Sequence, residues 1–447
     1  MGAQGQAQPA GSKATDTLNT KVVPIVLVPG VMGSRLEIST TSSGWDPDDN
    51  IEMAGWLKKR RRTSTNDIAF NTPATLMTDL VGAAGTRPST DIRNNARLKQ
   101  IANAQIDRSV PSRARPSAIT KFWEKRGWGE VSWGFYGPIL MAMGEQLNPG
   151  DQGGEPHPVY ACGYDWRQSN TDSADTLLAR VQLVRKNHPL AQKIIVVSHS
   201  MGGLVTRAAL KKGLDSSVLG VVHTVLPAEG AVVAYRRFFT GARGPLGDSP
   251  GPLNDIMGGN RVQYAIMQTR LRGPTELLPS NSYPDAFFHL GAGITNKFVN
   301  VYEEYGKQEP PGMIPPTGET EGTLVKNTVT ADDVASLRNR IREASDFTAS
   351  VAGVFHSKTF VLFGDGFVTD VEFDFRKGDD ELNGTDKDPR VGQLPQGDGT
   401  VPRTSARCEG ATGALGRNSA AVRHAECFGE ETFRVSVIDR VRRLLAL

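Results

Sequence analysis

The chain has 447 residues, of which 38% are hydrophobic and 22% are charged, and its formal net charge at pH 7 is +3. These values are typical of a globular protein, and so small a net charge gives no overall argument for a nucleic-acid partner. The longest apolar runs fall short of the roughly twenty residues that a membrane-spanning helix requires, which argues against an integral membrane protein.

The first twenty residues are polar and rich in glycine, alanine and glutamine, without the apolar core of a secretory signal. We therefore predict a disordered N-terminal lead over residues 1–20. A chain without a Sec signal and without a membrane span is expected to be made in the cytoplasm. Action on membranes elsewhere would then require export by a route other than Sec.

The first strand is predicted over residues 22–28 (VVPIVLV), a continuous apolar run typical of a strand buried on both faces. It leads directly into the glycine-containing loop PGVMGSRLE. A backbone amide in such a loop can point at a substrate oxygen, so the Met32 N–H is a candidate oxyanion donor. The alternative is an ordinary turn between a strand and a helix.

Residues 38–120 are irregular and predict a loop-rich insertion over the sheet. Asp46, Asp48 and Asp49 could hold Ca²⁺, but without a D-x-D-x-D-G loop a turn is the favoured interpretation. The basic run at residues 58–62 is interpreted as a solvated loop, with an anionic membrane surface as the alternative.

Strands and helices then alternate, which is the signature of a parallel sheet flanked by helices. A helix follows the aromatic run at residues 128–136, whose rings are expected in the core or in a pocket wall. The further strands are predicted over residues 157–161, 193–197 and 219–226, and the helices over residues 173–186 and 203–212.

The alternation stops at Pro227, and residues 227–357 carry glycine- and proline-rich loops with helices near 262–271 and 332–344. An insertion of this length predicts a cap or lid over the active site. The core resumes with a strand at 359–363, a hairpin strand at 371–375 and a final helix at 432–447. The predicted domains are thus a core over 21–226 and 358–447 and a cap over 227–357.

The most informative stretch is residues 193–210, KIIVVSHSMGGLVTRAAL, where a strand turns into a helix within a few residues. Its centre, SHSMG, is a variant of G-x-S-x-G with Ser198 in place of the first glycine. Such a bend lifts Ser200 out of the sheet edge and leaves the Met201 N–H free at a helix N-terminus, as a second oxyanion donor. An ordinary turn that contains serine and glycine is the alternative.

A serine nucleophile needs a histidine base and a carboxylate that holds the base in one tautomer. In sheet hydrolases the order along the chain is Ser, acid, His, which favours His424 among the seven histidines. Asp398, expected to be exposed in a glycine-flanked loop, can accept backbone N–H bonds that keep it ionised. Asp365 and Asp370 are alternative acids.

The remaining histidines are interpreted in terms of their position. His199 is expected to project away from Ser200, and His223, at the end of the next strand, could line the substrate pocket together with His199 and Trp166. The others lie in or beside cap, turn or strand segments: His157, His188, His289 and His356. Of the three cysteines, Cys408 and Cys427 could form a disulfide in an oxidising compartment, but free thiols are favoured.

Four segments resemble the landmarks of the lecithin:cholesterol acyltransferase-like branch of the α/β-hydrolase lipases, in the same order. They are PIVLVPGVMGSRL (24–36), YDWR (164–167), HSMGG (199–203) and GDGTVP (397–402). The resemblance implies an α/β-hydrolase fold, a triad of Ser200, Asp398 and His424, and an oxyanion hole formed by the amides of Met32 and Met201. Ser198 and the missing signal peptide depart from the family pattern.

Residues 227–239 (PAEGAVVAYRRFF) and the pair Trp128–Gly129 are instead similar to bacterial type VI secretion lipase effectors. This second, weaker likeness suggests a toxin that attacks a rival's membrane, with an immunity or secretion protein as partner.

The function expected from the sequence is hydrolysis of phospholipid or glycerolipid esters by a serine hydrolase, through an acyl-enzyme and without metal or cofactor. The protein would contact a membrane surface transiently and would not bind nucleic acid. Two alternatives remain open: a lipid acyltransferase that passes the acyl group to a hydroxyl acceptor, and a non-catalytic binding protein on a hydrolase scaffold.

Overall fold

The structure is a computed structural model that describes residues 22–37, 44–45, 47–48, 87–88, 125–147, 157–242, 258–283, 288–289, 314–321, 327–374 and 390–447. The predicted N-terminal lead, the basic run at 58–62, Asp46, Asp49 and most of the 38–120 insertion lie outside the described residues. Within the described part, no helix combines the length and the apolar character needed to cross a membrane.

The strands of the described part comprise six that form the central sheet and several short ones beside it. They are β1 Ile25–Val28, β2 Leu36–Glu37, β3 Gly44–Trp45, β4 Arg87–Pro88, β5 Val159–Ala161, β6 Ile194–His199, β7 Val218–Thr224, β8 Phe288–His289, β9 Thr320–Glu321, β10 Asn327–Thr328, β11 Thr359–Gly364, β12 Thr369–Asp374, β13 Arg390–Leu394 and β14 Gly416–Ala420.

The central sheet has the order β14-β11-β7-β6-β1-β5, and each neighbouring pair of strands is parallel. Side chains alternate between its two faces, so Ile194 and Val196 of β6 enter one core while Ile195 and Val197 enter the other. Because both faces are covered, the strands other than the edge strand β14 have largely apolar sequences. The predicted α/β-hydrolase fold, with its mostly parallel sheet, is confirmed.

The helices lie on both faces of this sheet. They are α1 Trp133–Leu147, α2 Asn170–Asn187, α3 Gly202–Lys211, α4 Val232–Thr240, α5 Arg261–Gln268, α6 Arg272–Thr275, α7 Ala331–Val351, α8 Arg403–Ala406 and α9 Glu431–Leu445. Helices α1 and α9 pack on one face, whereas α2, α3 and α7 contribute to the core on the other.

Asp48, weighed above as a calcium ligand, is the N-terminal cap of α1. Its carboxylate accepts hydrogen bonds from the Ser132 hydroxyl over 2.9 Å, from the Gly134 N–H over 2.8 Å and from the Trp133 N–H. A carboxylate at this position satisfies free backbone donors and complements the helix dipole. Asp48 thus lies in a turn, as the favoured interpretation predicted.

Several boundaries differ from those predicted for physical reasons. β1 begins only after Pro24, which has no N–H to donate to a neighbouring strand. β14 lies at the sheet edge with the half-buried or exposed sequence GRNSA, so no apolar pattern marked it in advance. The hairpin strand is observed as β12, which pairs antiparallel with β13, and Phe375 lies outside the described residues.

The described parts of residues 227–357 pack directly against the sheet layer. Tyr235, Phe238 and Ile341 belong to the same buried cluster as Val196 of the central strand β6. The Glu276 carboxylate reaches back to cap α2, accepting hydrogen bonds from the Ser169 hydroxyl over 2.6 Å and from the backbone and side chain of Asn170 over 2.8 and 2.7 Å. Burial raises the pKa of Glu276 to about 7.

Arg207 of α3 makes a further connection to the segment. Its guanidinium, 1% exposed, donates to the backbone oxygens of Ala228 and Val351, each over 2.6 Å, and of Val354 over 3.2 Å. One buried cation thus supplies hydrogen bonds to three backbone carbonyl groups, and those carbonyls in turn satisfy its buried donors.

Replacing Arg207 by methionine should remove the guanidinium donor from the Ala228 and Val354 carbonyls and one of the two donors from the Val351 carbonyl, which also accepts the Val354 N–H. We expect the free energy of unfolding to fall by about 2–4 kcal/mol. Urea unfolding followed by circular dichroism measures the change. Lys211→Met is the matched control, because Lys211 lies on the same helix but donates from the surface, over 3.0 Å to Ser350. That control should cost less than about 0.5 kcal/mol; equal losses in both variants would contradict the assignment.

Candidate active site

The bend between β6 and α3 places Ser200 at the carboxyl edge of the sheet. Ser200 has a φ of 51°, in the left-handed region that side-chain-bearing residues rarely adopt. A Cβ at Gly202 would collide with the carbonyl oxygens of Val28 and Pro29. Only glycine therefore allows α3 to begin this close to the loop after β1, and the crowding keeps Ser200 in its strained conformation.

Ser200, His424 and Asp398 form a continuous chain of hydrogen bonds. Ser200 Oγ lies 2.8 Å from His424 Nε2, and His424 Nδ1 lies 2.7 Å from Asp398 Oδ2. With neutral imidazole, Nδ1–H donates to the carboxylate and the free Nε2 accepts the serine proton. The structure thus brings together the three residues that were predicted from widely separated parts of the chain.

Asp398 is held by its own loop. Its Oδ1 accepts the N–H groups of Thr400 over 2.9 Å and Val401 over 2.7 Å, and its backbone oxygen accepts the His424 N–H over 3.0 Å. Two amides directed at one oxygen fix the orientation of the carboxylate. The prediction that Asp398 is exposed is wrong: it is 1% exposed, because the loop folds under the segment that carries His424.

The alternative acids have other partners. Asp365 lies 3.1 Å from Arg403 and accepts the Gly366 N–H over 3.0 Å. Asp370 is buried in an ion pair with Arg236, with 2.9 Å between the charged atoms. The structure joins neither of these carboxylates to His424.

Met32 and Met201 occupy the positions expected of oxyanion donors. Met32 lies in the turn after β1 with a φ of 61°, and Met201 immediately precedes the first residue of α3. Within the described part of the chain, neither backbone N–H donates a hydrogen bond to another protein group. Both amides are therefore available to a substrate oxygen.

A cavity of about 250 Å³ opens above Ser200 and His424. Its wall is mostly apolar and combines the loop after β1, the start of α1, α4 and the Asp398 loop. The lining residues include Val31, Met32, Trp45, Pro47, Phe135, Tyr136, His199, Ala231, Val233, Ala234, Arg237, Leu277, Thr400 and Val401. Tyr136 and Arg237 were not singled out beforehand, although the aromatic run around Tyr136 was expected in a core or pocket wall.

Of the three predicted pocket residues, only His199 lines this cavity. His223 is wholly buried below it, with Nδ1 2.6 Å from the Ser198 hydroxyl, and burial lowers its pKa to about 3. Trp166 is also buried and packs edge-on against Trp45, with 5.4 Å between the ring centroids. The pocket prediction is thus wrong for His223 and Trp166, because their side chains turn into the core.

The Ser198–His223 contact gives a structural reason for the departure from the usual motif. A glycine at position 198 would leave His223 Nδ1 without its hydroxyl partner in a fully buried site.

Cys162, Cys408 and Cys427 are free and buried, so Cys408 and Cys427 do not form a disulfide in this structure.

Comparison with known proteins gives a family match and a set of similar solved structures. Residues 147–332 match the sequence model of the family described as Lecithin:cholesterol acyltransferase, a segment that includes Ser200 but neither Asp398 nor His424. A search of curated proteins found no match.

The crystal structure of the Tle4–Tli4 complex contains a chain 20% identical to this one, with a TM-score of 0.63 over 96% of this chain and 99% of that chain. A Burkholderia cenocepacia protein described as a putative aryl esterase is 11% identical over 96% of this chain and 93% of that chain. Its TM-score of 0.31 is too low to indicate a shared fold. Both resemblances noted in the sequence thus have a counterpart among known proteins. The chain has an α/β-hydrolase fold, and its residues 147–332 carry the sequence pattern of the lecithin:cholesterol acyltransferase family.

Proposed function

We propose that this protein is a serine carboxylic ester hydrolase that cleaves acyl esters of phospholipids or glycerolipids through an acyl-enzyme. The observation that carries the proposal is the hydrogen-bonded chain from Ser200 through His424 to Asp398, at 2.8 and 2.7 Å, at the base of an apolar cavity. The family match supports a hydrolase of the lipase or esterase type.

In this mechanism Ser200 Oγ attacks the ester carbonyl while His424 Nε2 takes its proton. Asp398 keeps His424 in the tautomer whose Nε2 is free and stabilises the imidazolium that forms. The amides of Met32 and Met201 bind the developing oxyanion. His424 then returns the proton to the departing alcohol, and a water molecule resolves the acyl-enzyme by the reverse sequence.

The cavity wall supports a lipid substrate with a phosphate group. Apolar side chains suit an acyl chain, and Arg237 is the one lysine or arginine among the lining residues. In the described part of the chain Arg237 has no carboxylate partner, its Nε is buried without a hydrogen-bond acceptor, and it interacts with the Tyr264 hydroxyl. A guanidinium in an apolar wall, with no carboxylate partner among the described residues, favours a phosphate ester over a neutral lipid.

We propose that residues 227–357 act as the cap of this site, since Ala231, Val233, Arg237 and Leu277 from that segment line the cavity. An effector role with a partner protein is a further proposal. It is supported by the whole-chain similarity to a chain of the Tle4–Tli4 complex and by the effector-like sequence of residues 227–239.

The second candidate function is lipid acyltransfer, which the family match favours. The two activities share every step up to the acyl-enzyme and differ only in the acceptor, water or a lipid hydroxyl. Analysis of the products from labelled phospholipid, with and without added diacylglycerol or sterol, separates them. Labelled free fatty acid under both conditions supports hydrolysis, and a labelled ester that appears only with the acceptor supports transfer.

Ser200→Ala should abolish ester turnover, with a loss on the order of 10³-fold or more, because the acyl-enzyme can no longer form. A panel of phospholipids and glycerolipids with the purified protein measures the loss. Labelling of the unchanged protein by a fluorophosphonate probe provides the control. A folded protein that the probe does not label would support the non-catalytic binding alternative.

Asp398→Asn should reduce turnover nearly as much, on the order of 10³- to 10⁴-fold, because His424 loses the acceptor that sets its tautomer. Asp365→Asn removes a carboxylate from the same side of the sheet and should change turnover by less than about threefold. Initial rates on one ester substrate decide between them. If Asp365→Asn shows the larger loss, Asp398 is not the acid of the triad.

Arg237→Met should lower kcat/KM for a phospholipid about tenfold while leaving a diacylglycerol with the same acyl chains within about twofold, because only the phosphate loses a charged partner. Arg261→Met is the control. Arg261 is a partly exposed arginine on the neighbouring helix, 3.6 Å from Glu319 and outside the cavity lining. Equal losses on both lipids would argue that Arg237 only shapes the wall.

A further inference from the structure

A second set of hydrogen bonds, separate from the triad, joins the loop after β1 to the backbone of His424 through Tyr136 and His199. The Gly30 N–H donates to the Tyr136 hydroxyl oxygen over 2.8 Å, and that oxygen lies 3.0 Å from His199 Nδ1. On the other side of the imidazole, His199 Nε2 lies 3.3 Å from the backbone oxygen of His424. Tyr136 and His199 are 2% and 6% exposed, so water competes little with these contacts.

The direction of each hydrogen bond follows from the donors present. The Tyr136 oxygen already accepts the Gly30 N–H, so its single hydrogen is free to be donated to His199 Nδ1. The neutral His199 ring then carries its hydrogen on Nε2, which donates to the His424 carbonyl. The opposite tautomer would set the Nε2 lone pair against that carbonyl oxygen. Burial, with a smaller contribution from the charge of His424, lowers the pKa of His199 to about 3 and keeps the ring neutral.

At one end of this series of hydrogen bonds, Tyr136 holds the oxyanion loop, defined here as residues 29–33. A Cβ at Gly33 would meet the Tyr136 ring and hydroxyl, and a Cβ at Gly30 would lie 2.9 Å from the Ser200 Cβ. The loop is thus pressed against the nucleophile on one side and against Tyr136 on the other. Met32, the candidate oxyanion donor, lies between these two contacts.

The other end holds the base loop, defined here as residues 421–426. The His424 backbone N–H donates to the backbone oxygen of Asp398 over 3.0 Å, and the His424 backbone carbonyl accepts a hydrogen bond from His199 Nε2. The His199 ring also packs against that of His424, with 5.4 Å between the centroids. The backbone of the base is therefore held from both sides, independently of the two hydrogen bonds made by its side chain.

We propose that Tyr136 and His199 are positioning residues that set the spacing between the oxyanion loop and the base loop. A substrate carbonyl must meet Ser200, the Met32 amide and His424 at once, and an error of about 1 Å in such an arrangement costs on the order of 10²-fold in rate. The inference rests on the proposed function and extends it to two side chains that need not contact the reacting atoms.

Tyr136→Phe tests the inference, with Tyr164→Phe as the matched control. Tyr164 is equally buried, and its hydroxyl donates to the Pro29 oxygen over 2.8 Å, in the same loop but without contact to His199. Both variants lose one buried hydroxyl and should lose similar thermal stability. We expect kcat to fall 10- to 100-fold in Tyr136→Phe, with KM within about threefold, and to fall less than about threefold in Tyr164→Phe. Equal effects on kcat would overturn the proposal.

A second pair of variants keeps the test decisive if Tyr136→Phe folds poorly. The amide of His199→Gln can reach the position of Nε2 and donate to the His424 carbonyl, whereas that of His199→Asn reaches only the position of Nδ1. We expect kcat of His199→Gln to exceed that of His199→Asn at least about fivefold. If the two variants have the same kcat, the contact with His424 does not position the base.

Fluorophosphonate labelling of Ser200 in the unchanged protein distinguishes a failure of the proposed hydrolase function from a failure of the positioning role. An unlabelled serine would end the proposed function, and the positioning role with it. A labelled serine, combined with equal turnover in Tyr136→Phe and Tyr164→Phe, would leave the hydrolase in place and remove only the positioning role.

Discussion

The site depends on one steric constraint, the approach of α3 to the loop after β1. Because a Cβ at Gly202 would collide with the carbonyl oxygens of Val28 and Pro29, the chain can turn from β6 into α3 only with glycine there. The same crowding keeps Ser200 at a φ of 51°, with its hydroxyl at the sheet edge. A strained backbone conformation of this kind persists only where the surrounding structure holds it in place. Here the surroundings are two buried cores, one on each face of β6.

Around this bend, the structure places polar groups in an apolar interior and gives them defined partners. Asp398 has two backbone amides and His424, His223 has the Ser198 hydroxyl, and Arg207 has three carbonyls. In a medium of low polarity such hydrogen bonds are strong, and a missing partner is costly. The network therefore holds Ser200, His424 and Asp398 in one arrangement. In the proposed mechanism, little reorganisation would then be needed when charge develops on a substrate oxygen.

The described parts of the segment over residues 227–357 contribute to the cavity wall and pack against the sheet. Its α4 contributes both to the cavity wall and to the buried core, and its Glu276 caps α2. A wall that shares a core with the sheet fixes the position of the cavity relative to Ser200. Arg237 also lies in this wall, so the same helix shapes the pocket and carries its cationic side chain.

The amino-acid sequence by itself determined the parallel sheet, the bend with Ser200 and the chain order that favours His424, because these follow from local periodicity, small residues at a tight turn and motif order. The glycine-flanked loop before His424 made Asp398 the first candidate for the acid, with Asp365 and Asp370 as alternatives, and the resemblance to a lipase family implied the same residue. Only the tertiary structure decided that Asp398 is buried, that Asp365 and Asp370 are paired with arginines, and that His223 and Trp166 face the core. It also brought Tyr136 to His199, across 63 positions of the chain. Burial and partner choice depend on contacts between distant segments, and no local pattern of residues contains that information.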